Sequence, residues 1–261
     1  MKIMIIIDET TFFHPDYLDI ILQKNINQSD LFKIGIVRKI PKKNSLSYLL
    51  FQNIFSLSLR EILLLSLRNM FFLCLDWIFP SGINKNNFSV KGVCKKHHID
   101  FFFIDKNINS KIYIDTIKNF NPNILISSNS LIFGQKILSL ENIFFVNRHT
   151  SLLPSYRGLM PVIHAIINHE SKIGVSIHKM TKDIDKGDVI GQEVIILREN
   201  RNLFSIYEIA FEQSAYLTLK IIDEFRLNKI SIIKNNFQPS SFSFPTMKEL
   251  RYFKKIGGRF I

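Results

Sequence analysis

The sequence contains little cysteine. Its two cysteines among 261 residues, Cys74 and Cys94, lie at a spacing that suits no metal motif, and two thiols cannot supply a disulfide framework. Most of the histidines lack a cysteine or carboxylate at ligand spacing, so we predict no metal site and read His97, His98, His164, His169 and His178 as surface or core residues. A reducing compartment is the expectation, in the simplest case the cytoplasm.

Glycine is absent where a nucleotide-binding loop would need it. Residues 2–7 form an apolar run that is too short, and too soon followed by Asp8 and Glu9, for a signal peptide, so we read it as the first strand. The chain then continues as DETTFFHP without a glycine, whereas dinucleotide and P-loop sites cradle phosphate on a glycine-rich turn. Binding of a nucleotide cofactor at that turn is therefore not expected.

Acidic residues are outnumbered. There are 22 Asp and Glu against 34 Lys and Arg, which gives a net charge of +12. Such a charge suits an anionic small molecule, RNA or a membrane surface. The lysines are scattered and form no basic block with interleaved aromatics, so we do not expect a nucleic-acid partner. A genome rich in A and T, which encodes lysine freely, explains the excess equally well.

The longest apolar stretch spans residues 61–79. Three charges interrupt it, and each would cost about 2.5–3.5 kcal/mol near the centre of a bilayer, so we predict no membrane span. The polar residues share one arc of a helical wheel. Three arrangements stay open: a helix packed on its own domain, on a partner subunit as in a homodimer, or in a membrane interface. The residues of this arc are Glu61, Arg68, Asn69 and Asp76.

Strand-like and helix-like segments alternate along most of the chain. Apolar or β-branched runs at residues 2–7, 33–37, 100–104, 123–127 and 143–147 are separated by helical patterns. This alternation predicts an α/β fold with a Rossmann-like, mostly parallel sheet, helices on both faces and ligands at the carboxyl ends of the strands. We predict one domain at residues 1–229, with an apolar helical insertion at about 45–87, and a short C-terminal extension at residues 230–261.

Residues that could serve one reaction follow the fifth of these runs. Asn147 and His149, two residues apart at a strand end, project their side chains to the same side. An amide and an imidazole can then converge on one carbonyl oxygen. Asp185 reaches His149 only if its loop folds back, where its charge would orient the imidazole and favour the protonated form. The plain alternatives are a satisfied histidine at a capped strand end and an ordinary turn aspartate.

Residues 147–158, with the sequence NRHTSLLPSYRG, and the later Asp185-x-Gly187 resemble the signature of the folate-dependent formyltransferases. That family includes enzymes that formylate glycinamide ribonucleotide, methionyl-tRNA and amino sugars on nucleotides. The resemblance covers roughly the last two-thirds of the chain well and the first third by topology. It implies the formyltransferase fold, 10-formyltetrahydrofolate as co-substrate, and Asn147, His149 and Asp185 as the catalytic residues.

The resemblance also implies two sets of binding residues. The folate would lie against Ser127, Ser128, Asn129, Ser130 and Leu131, and against Asp183, Ile184 and Gly187. The substrate would lie near Ser151, Tyr156, Arg157 and Gly158. The sequence departs from the family at Arg148, where an aliphatic residue is usual, so that its side chain needs a partner or solvent on the far face of the sheet. Residues 127–130 are also more polar than usual.

Family members differ mainly in the amine that they formylate. The purine-pathway enzymes bind phosphate on a glycine-containing turn after the first strand, which this chain lacks. The tRNA enzymes carry a separate C-terminal β-rich domain, for which the residues after 230 are too few. By elimination we expect a nucleotide-linked amino sugar as the amine substrate. The apolar insertion would place the enzyme at the inner face of the membrane, where envelope glycans such as lipopolysaccharide are assembled.

Two other functions stay open. Water in place of the amine would give a formyltetrahydrofolate hydrolase, although such relatives usually carry an N-terminal regulatory domain that is not evident here. A non-catalytic folate or sugar-nucleotide binding module, attached to a membrane or a partner by the insertion, is the alternative of another class. Binding alone does not require Asn147, His149 and Asp185 together, which argues against it.

Overall fold

The computed structural model describes residues 1–38, 58–82, 87–197 and 202–261. Within them, strands and helices alternate in the predicted order. The strands are β1 (Lys2–Asp8), β2 (Leu31–Val37), β3 (Asp100–Ile104), β4 (Ile124–Ser128), β5 (Phe144–His149), β6 (Arg157–Gly158), β7 (Lys172–Lys179), β8 (Val189–Ile196) and β9 (Ser241–Phe242). The helices are α1 (His14–Lys24), α2 (Leu59–Ile78), α3 (Val90–Lys96), α4 (Lys111–Phe120), α5 (Gln135–Leu138), α6 (Pro161–Ile167), α7 (Leu203–Arg226) and α8 (Met247–Lys255).

Seven of the strands form one sheet in the order β3-β2-β1-β4-β5-β7-β8. The first five in this order are parallel to one another. Strand β7 then runs antiparallel to both β5 and β8. The prediction of a mostly parallel α/β sheet is confirmed. The reversal at β7 was not predicted, and it places the end of β7 beside the polar end of β5.

The two faces of the sheet bury different side chains because successive residues of a strand point in opposite directions. In β1, Ile3, Ile5 and Ile7 join a core that includes α1, α3 and α7. Met4 and Ile6 join a second core with α4 and α5. Coverage of both faces explains why residues 3–7 of β1 and 124–126 of β4 are continuous apolar runs instead of alternating patterns.

Helix α2 is the helix predicted in the apolar stretch, and its polar stripe faces the protein. The Glu61 carboxylate accepts hydrogen bonds from Lys254 Nζ of α8. Asn69 Oδ1 accepts from Thr11 Oγ1 over 2.8 Å. Helix α2 therefore packs on its own domain through its polar residues. Of the predicted insertion, residues 45–57 and 83–86 lie outside the described residues.

Among the described residues, no helix combines the length and the apolar composition needed to cross a bilayer.

The C-terminal segment packs against the motif of residues 147–158. Strand β9 pairs in parallel with β6, with Arg157 opposite Ser241 and Gly158 opposite Phe242. Ser240 Oγ accepts a hydrogen bond from the amide of Tyr156 over 2.8 Å. The predicted extension thus braces the motif. The boundary drawn at residue 229 stays a prediction.

A buried hydrogen bond between distant parts of the chain provides a test of this packing. Tyr17 of α1 and Thr218 of α7 join their hydroxyls over 3.0 Å. We expect Tyr17→Phe to lower the free energy of unfolding by about 0.5–1.5 kcal/mol, because the bond is lost while the ring remains. Urea denaturation measures this loss. The matched control is Tyr216→Phe on α7, the helix that carries Thr218. Tyr216 is 49% exposed, so no loss is expected. Equal losses in the two variants would contradict the role of the bond.

Candidate functional site

One face of the sheet carries a row of polar side chains at the carboxyl ends of neighbouring strands. Ser127 of β4 lies opposite Asn147 of β5, and Asn147 lies opposite His178 of β7. Asp8, at the end of β1, points to this same face because it is two residues beyond the inward-facing Ile6. At this edge of the sheet, polar side chains therefore replace the apolar side chains of the core.

The loop after β7 folds back over the row and brings Asp185 to it. Asp185 adopts a left-handed backbone conformation, with φ of 54°, and its side chain is buried. Its Oδ2 accepts a hydrogen bond from the amide of Gly158 over 2.9 Å and lies 3.7 Å from Nδ1 of His149. Its Oδ1 lies 3.5 Å from Nε2 of His178. The structure thus brings together the residues predicted as catalytic.

Asn147 is linked to the carboxylate through a histidine. Its Nδ2 lies 3.2 Å from Nε2 of His178, and Nδ1 of His178 lies 2.9 Å from the carbonyl oxygen of Lys179. Since that carbonyl only accepts, the proton of a neutral His178 sits on Nδ1, and Nε2 accepts from Asn147. His178 therefore fixes the orientation of the Asn147 amide.

The carboxylate of Asp185 is held in its charged form. Burial raises its pKa, but the close contact with His178, the nearby His149 and the amide of Gly158 outweigh burial and lower the pKa to about 2. Burial lowers the pKa of His149, and the attraction of Asp185 offsets this only in part. Asp185 thus favours the protonated imidazole, as expected, but burial outweighs this attraction and leaves the pKa of His149 below its ordinary value. An ionised carboxylate stands beside a histidine that loses its proton more readily than usual.

The motif loop holds His149 from the other side. Nε2 of His149 lies 2.9 Å from the carbonyl oxygen of Tyr156, so Nε2 carries the proton and donates it. Tyr156 itself has a φ of 58°, and its ring stacks on that of Phe242 in β9. The C-terminal segment therefore helps to set the position of the imidazole.

The residues predicted to bind substrate lie in different places. The hydroxyl of Ser151 donates to the carbonyl of Ser155, inside the loop. The hydroxyl of Tyr156 donates to Glu170. Arg157 donates from Nε to the carbonyl oxygen of Asp185 over 3.0 Å, and Gly158 donates its amide to the carboxylate of the same residue. Arg157 and Gly158 thus lie at the polar cluster, whereas the hydroxyls of Ser151 and Tyr156 are directed to other partners.

The first set of residues predicted to bind folate forms the turn after β4. Asn129 organises it, because its Nδ2 donates to the carbonyl of Ile6 and to Ser127 Oγ, and its Oδ1 accepts from the amide of Leu131. Ser127 and Ser128 are both buried, and Ser128 Oγ accepts from Arg148. This turn is thus fixed by its own polar side chains, which explains why the segment is more polar than the family pattern.

The second predicted folate segment is the loop that carries Asp185. Asp183 and Lys186 form an exposed ion pair at 3.4 Å, and Ile184 is 58% exposed. A Cβ at Gly187 would lie 1.8 Å from the carbonyl oxygen of Lys179, so a glycine is required where the loop crosses β7. The backbone of the loop therefore packs closely against β7 at Gly187, whereas the side chain of Ile184 is exposed.

Arg148 finds partners on the opposite face of the sheet. Its guanidinium donates to Ser128 Oγ and to Thr150 Oγ1, each over 3.0 Å, and lies 3.9 Å from the centre of the Phe211 ring. Burial lowers the pKa of the guanidinium. Two hydroxyl groups and an aromatic ring thus provide partners for the Arg148 guanidinium, so this face of the sheet need not be open to solvent.

Two polar residues of this cluster were not predicted. His178 was read as a surface or core histidine, yet it contacts both Asn147 and Asp185. Asp8 lies at the same edge, and burial raises its pKa to about 7 although the amide of Ser130 and the charge of Arg148 oppose this. The sequence signal was that each residue ends an apolar strand. Among the described residues, no cluster of three or more His, Cys, Asp or Glu side chains could hold a metal ion.

Comparisons with known proteins give the same family by two routes. The sequence model described as formyl transferase matches residues 83–217, just over half of the chain. The methionyl-tRNA formyltransferase of a Sulfurihydrogenibium species is 29% identical over 160 residues, which are 61% of this chain and 51% of that protein. The chain spans about half the length of the curated relatives it matches.

Solved structures agree with the fold. A sugar N-formyltransferase from a Shewanella species superposes with a TM-score of 0.62 at 14% identity, and the match covers 100% of this chain and 89% of that one. An N-formyltransferase from Helicobacter canadensis, in complex with folinic acid and dTDP-3-aminofucose, has a TM-score of 0.56 at 19% identity, with 100% and 84% coverage. At these identities the likeness concerns the fold.

Two glycines with positive φ provide a test of the bracing by β9. A Cβ at Gly158 would lie 2.2 Å from the carbonyl oxygen of Phe242, whereas a Cβ at Gly257 would meet nothing within 4 Å. Both alanine variants carry backbone strain of about 1–2 kcal/mol. Only Gly158→Ala must also separate β6 from β9. We expect urea denaturation to give a clearly larger loss of stability for Gly158→Ala. A loss no greater than that of Gly257→Ala would contradict the close contact.

The electrostatics of His149 can be measured directly. We expect its imidazole pKa to lie below the ordinary value of about 6.5, because burial outweighs Asp185. Asp185→Asn removes the charge that raises this pKa, so the variant should lower it further. NMR titration of isotopically labelled histidine gives both values. Asp183→Asn is the control, since this exposed carboxylate belongs to the same loop. A rise of the His149 pKa in Asp185→Asn would overturn this interpretation.

Proposed function

The chain belongs to the formyl transferase family, and on this premise we propose that it transfers a formyl group from 10-formyltetrahydrofolate to a primary amine. The observation that carries the proposal is the convergence of Asn147, His149 and Asp185 around one point of the sheet edge. Acyl transfer needs an oriented donor for the carbonyl oxygen and a group that moves a proton. An amide, an imidazole and a fixed carboxylate meet these needs.

The turn after β4 and the loop of Asp185 fit a folate. Among the described residues, Ser130 Oγ and Asp8 Oδ1 are buried without a hydrogen-bond partner. Ser130 belongs to the turn predicted to contact the pterin, and its amide bonds to the carboxylate of Asp8. A pterin ring carries donors and acceptors that would satisfy such atoms. The exposed Ile184 offers apolar contact at the mouth. These residues would hold the co-substrate, which supplies the formyl group and receives a proton when that group leaves.

Asn147 would act on the formyl oxygen. One N–H of its amide is taken by His178, which leaves the second N–H of the same amide to donate elsewhere. Because His178 holds the amide in place, little reorganisation is needed when negative charge develops on the oxygen. Such preorganised donors contribute most where water is excluded.

His149 would assist at the same oxygen and move a proton. Its Nε2 proton is donated to the carbonyl of Tyr156 in this structure, so the imidazole must exchange that bond for one with the substrate. The lowered pKa of His149 keeps the ring neutral. With the ring proton then on Nδ1, which faces Asp185, Nε2 is free to accept the proton that the amine loses as the new C–N bond forms. That proton then passes to the leaving nitrogen of the donor as the old C–N bond breaks.

Asp185 would orient His149 and favour its charged form during the transfer. The carboxylate stays ionised because its pKa is lowered to about 2. The amide of Gly158 fixes one of its oxygens. A fixed negative charge beside Nδ1 stabilises the positive charge that the imidazole acquires on accepting a proton.

For the acceptor we propose an amino sugar linked to a nucleotide, in the cytoplasm or at the inner face of the membrane. Arg157, held beside Asp185 by its Nε, offers positive charge for an anionic acceptor. The sugar N-formyltransferase folds that cover the whole chain support this class. Methionyl-tRNA is the second candidate, favoured by the 29% identity with an enzyme of that name.

The test is mass spectrometry of the products formed from 10-formyltetrahydrofolate and a panel of nucleotide-linked amino sugars, with methionyl-tRNA in parallel. We expect formylation of one sugar. His149→Ala should reduce turnover by about 10²–10³-fold, the usual loss when one such donor is removed. His169→Ala, which removes an exposed histidine, is the matched control and should leave turnover unchanged.

Other outcomes separate the alternatives. Formylation of methionyl-tRNA alone would replace the sugar by the tRNA acceptor. Release of formate without a formylated product would indicate a formyltetrahydrofolate hydrolase. Folate binding without turnover, unaffected by His149→Ala, would indicate a non-catalytic binding module and refute the proposed enzyme.

A further inference from the structure

Helix α2 presents its apolar side chains to the outside. Its polar residues Glu61 and Asp76 bond to the protein body, and Arg68 lies 4.2 Å from the ring centre of Phe204. On the opposite side Trp77 is 85% exposed and Phe71 is 62% exposed. Soluble helices normally bury the apolar face and hydrate the polar one. An exposed continuous apolar face of this kind marks an interaction surface.

The exposed face is wide. At 100° per residue, Leu59, Leu63, Met70 and Trp77 share one line of the helix, and all are exposed. The exposed Leu64 and Phe71 extend the face to one side of this line, so that it spans about half of the circumference. A two-stranded coiled coil would need a narrow apolar seam flanked by charged positions. The α2 face has apolar flanks instead.

Exposed cations stand at both ends of α2. At its start lies the exposed Arg60, and the bond between Glu61 and Lys254 places α8, with its exposed Lys255, beside it. Near the end of α2, Asp76 accepts a hydrogen bond from Ser89. Helix α3 follows Ser89 and carries the exposed Lys91 and Lys95. If two copies paired through α2, these cations would lie close together. The copies would repel each other, since each carries a net charge of +12. An anionic surface would instead attract them.

We propose that the apolar face of α2 inserts into the interface of a bilayer that carries anionic lipids, with the flanking lysines and arginines on the headgroups. Helix α2 lies along the protein surface, since Glu61, Asn69 and Asp76 bond to the body at successive points along it, and so enters the bilayer in plane. Leucine, phenylalanine and tryptophan on one face are typical of interfacial helices. This binding is independent of the proposed catalytic activity.

Trp77 makes the experiment specific, because it is the single tryptophan of the chain. We expect its emission to shift to shorter wavelength on addition of vesicles of phosphatidylglycerol and phosphatidylcholine. The protein should sediment with these vesicles, and salt should weaken the binding. Vesicles of phosphatidylcholine alone should produce little of either effect.

Charge on the apolar face should abolish the interaction. Phe71→Glu is expected to weaken vesicle partitioning at least tenfold, since a charged side chain enters the interface poorly. Ile112→Glu on α4 is the matched control, because Ile112 is an equally exposed apolar residue, at 65%, on another helix. The pair Lys95→Glu and Lys255→Glu should weaken binding to anionic vesicles several-fold.

Three results would overturn the proposal. The first is the absence of sedimentation and of any Trp77 shift with anionic vesicles. The second is a shift that depends on protein concentration without vesicles and accompanies dimer formation in analytical ultracentrifugation, which would assign the face to a second copy. The third is short-wavelength, quencher-resistant Trp77 emission in the free protein at every concentration, which would mean that the chain itself covers the face.

Discussion

The carboxylate of Asp185 is the constraint around which the site is built. A buried charge is stable only when donors surround it. The amide of Gly158 donates to the carboxylate, and the rings of His149 and His178 lie 3.7 Å and 3.5 Å from its oxygens, so three separate segments of the chain surround it. The motif loop, strand β5 and strand β7 must all be in place before the charge is satisfied. The same requirement brings the polar groups within reach of one another, so the stability of the cluster and its chemistry have a common origin.

The reversal of strand direction at β7 makes this arrangement possible. The parallel strands end at the edge of the sheet where the site lies, whereas β7 enters the sheet from that edge, beside the motif loop. The antiparallel β7 sets His178 directly opposite Asn147, and the loop that follows returns Asp185 over the pair. The C-terminal segment adds a second brace, since β9 pairs with β6 and so fixes Gly158. Segments far apart in sequence thus determine the position of a few atoms.

The sequence predicts those parts of the fold and of the site that local patterns determine. The strand at Asp100–Ile104 has the predicted bounds, and the period of two in a strand places Asn147 and His149 on one side. His178 was missed because its role depends on the register between β5 and β7, which no local pattern contains. The inward polar stripe of α2 ran against the rule that polar faces are hydrated, so the sequence could not decide among its three arrangements.

The most direct test of the central claim is a double-mutant cycle on formyl transfer with His149→Ala and Asp185→Asn. Residues that act as one unit give losses that do not add. We predict that the double variant is no slower than the slower single variant, because Asp185 acts through His149. Losses that multiply in the double variant would mean that the two residues act independently, which would contradict the account of the carboxylate as the support of the imidazole.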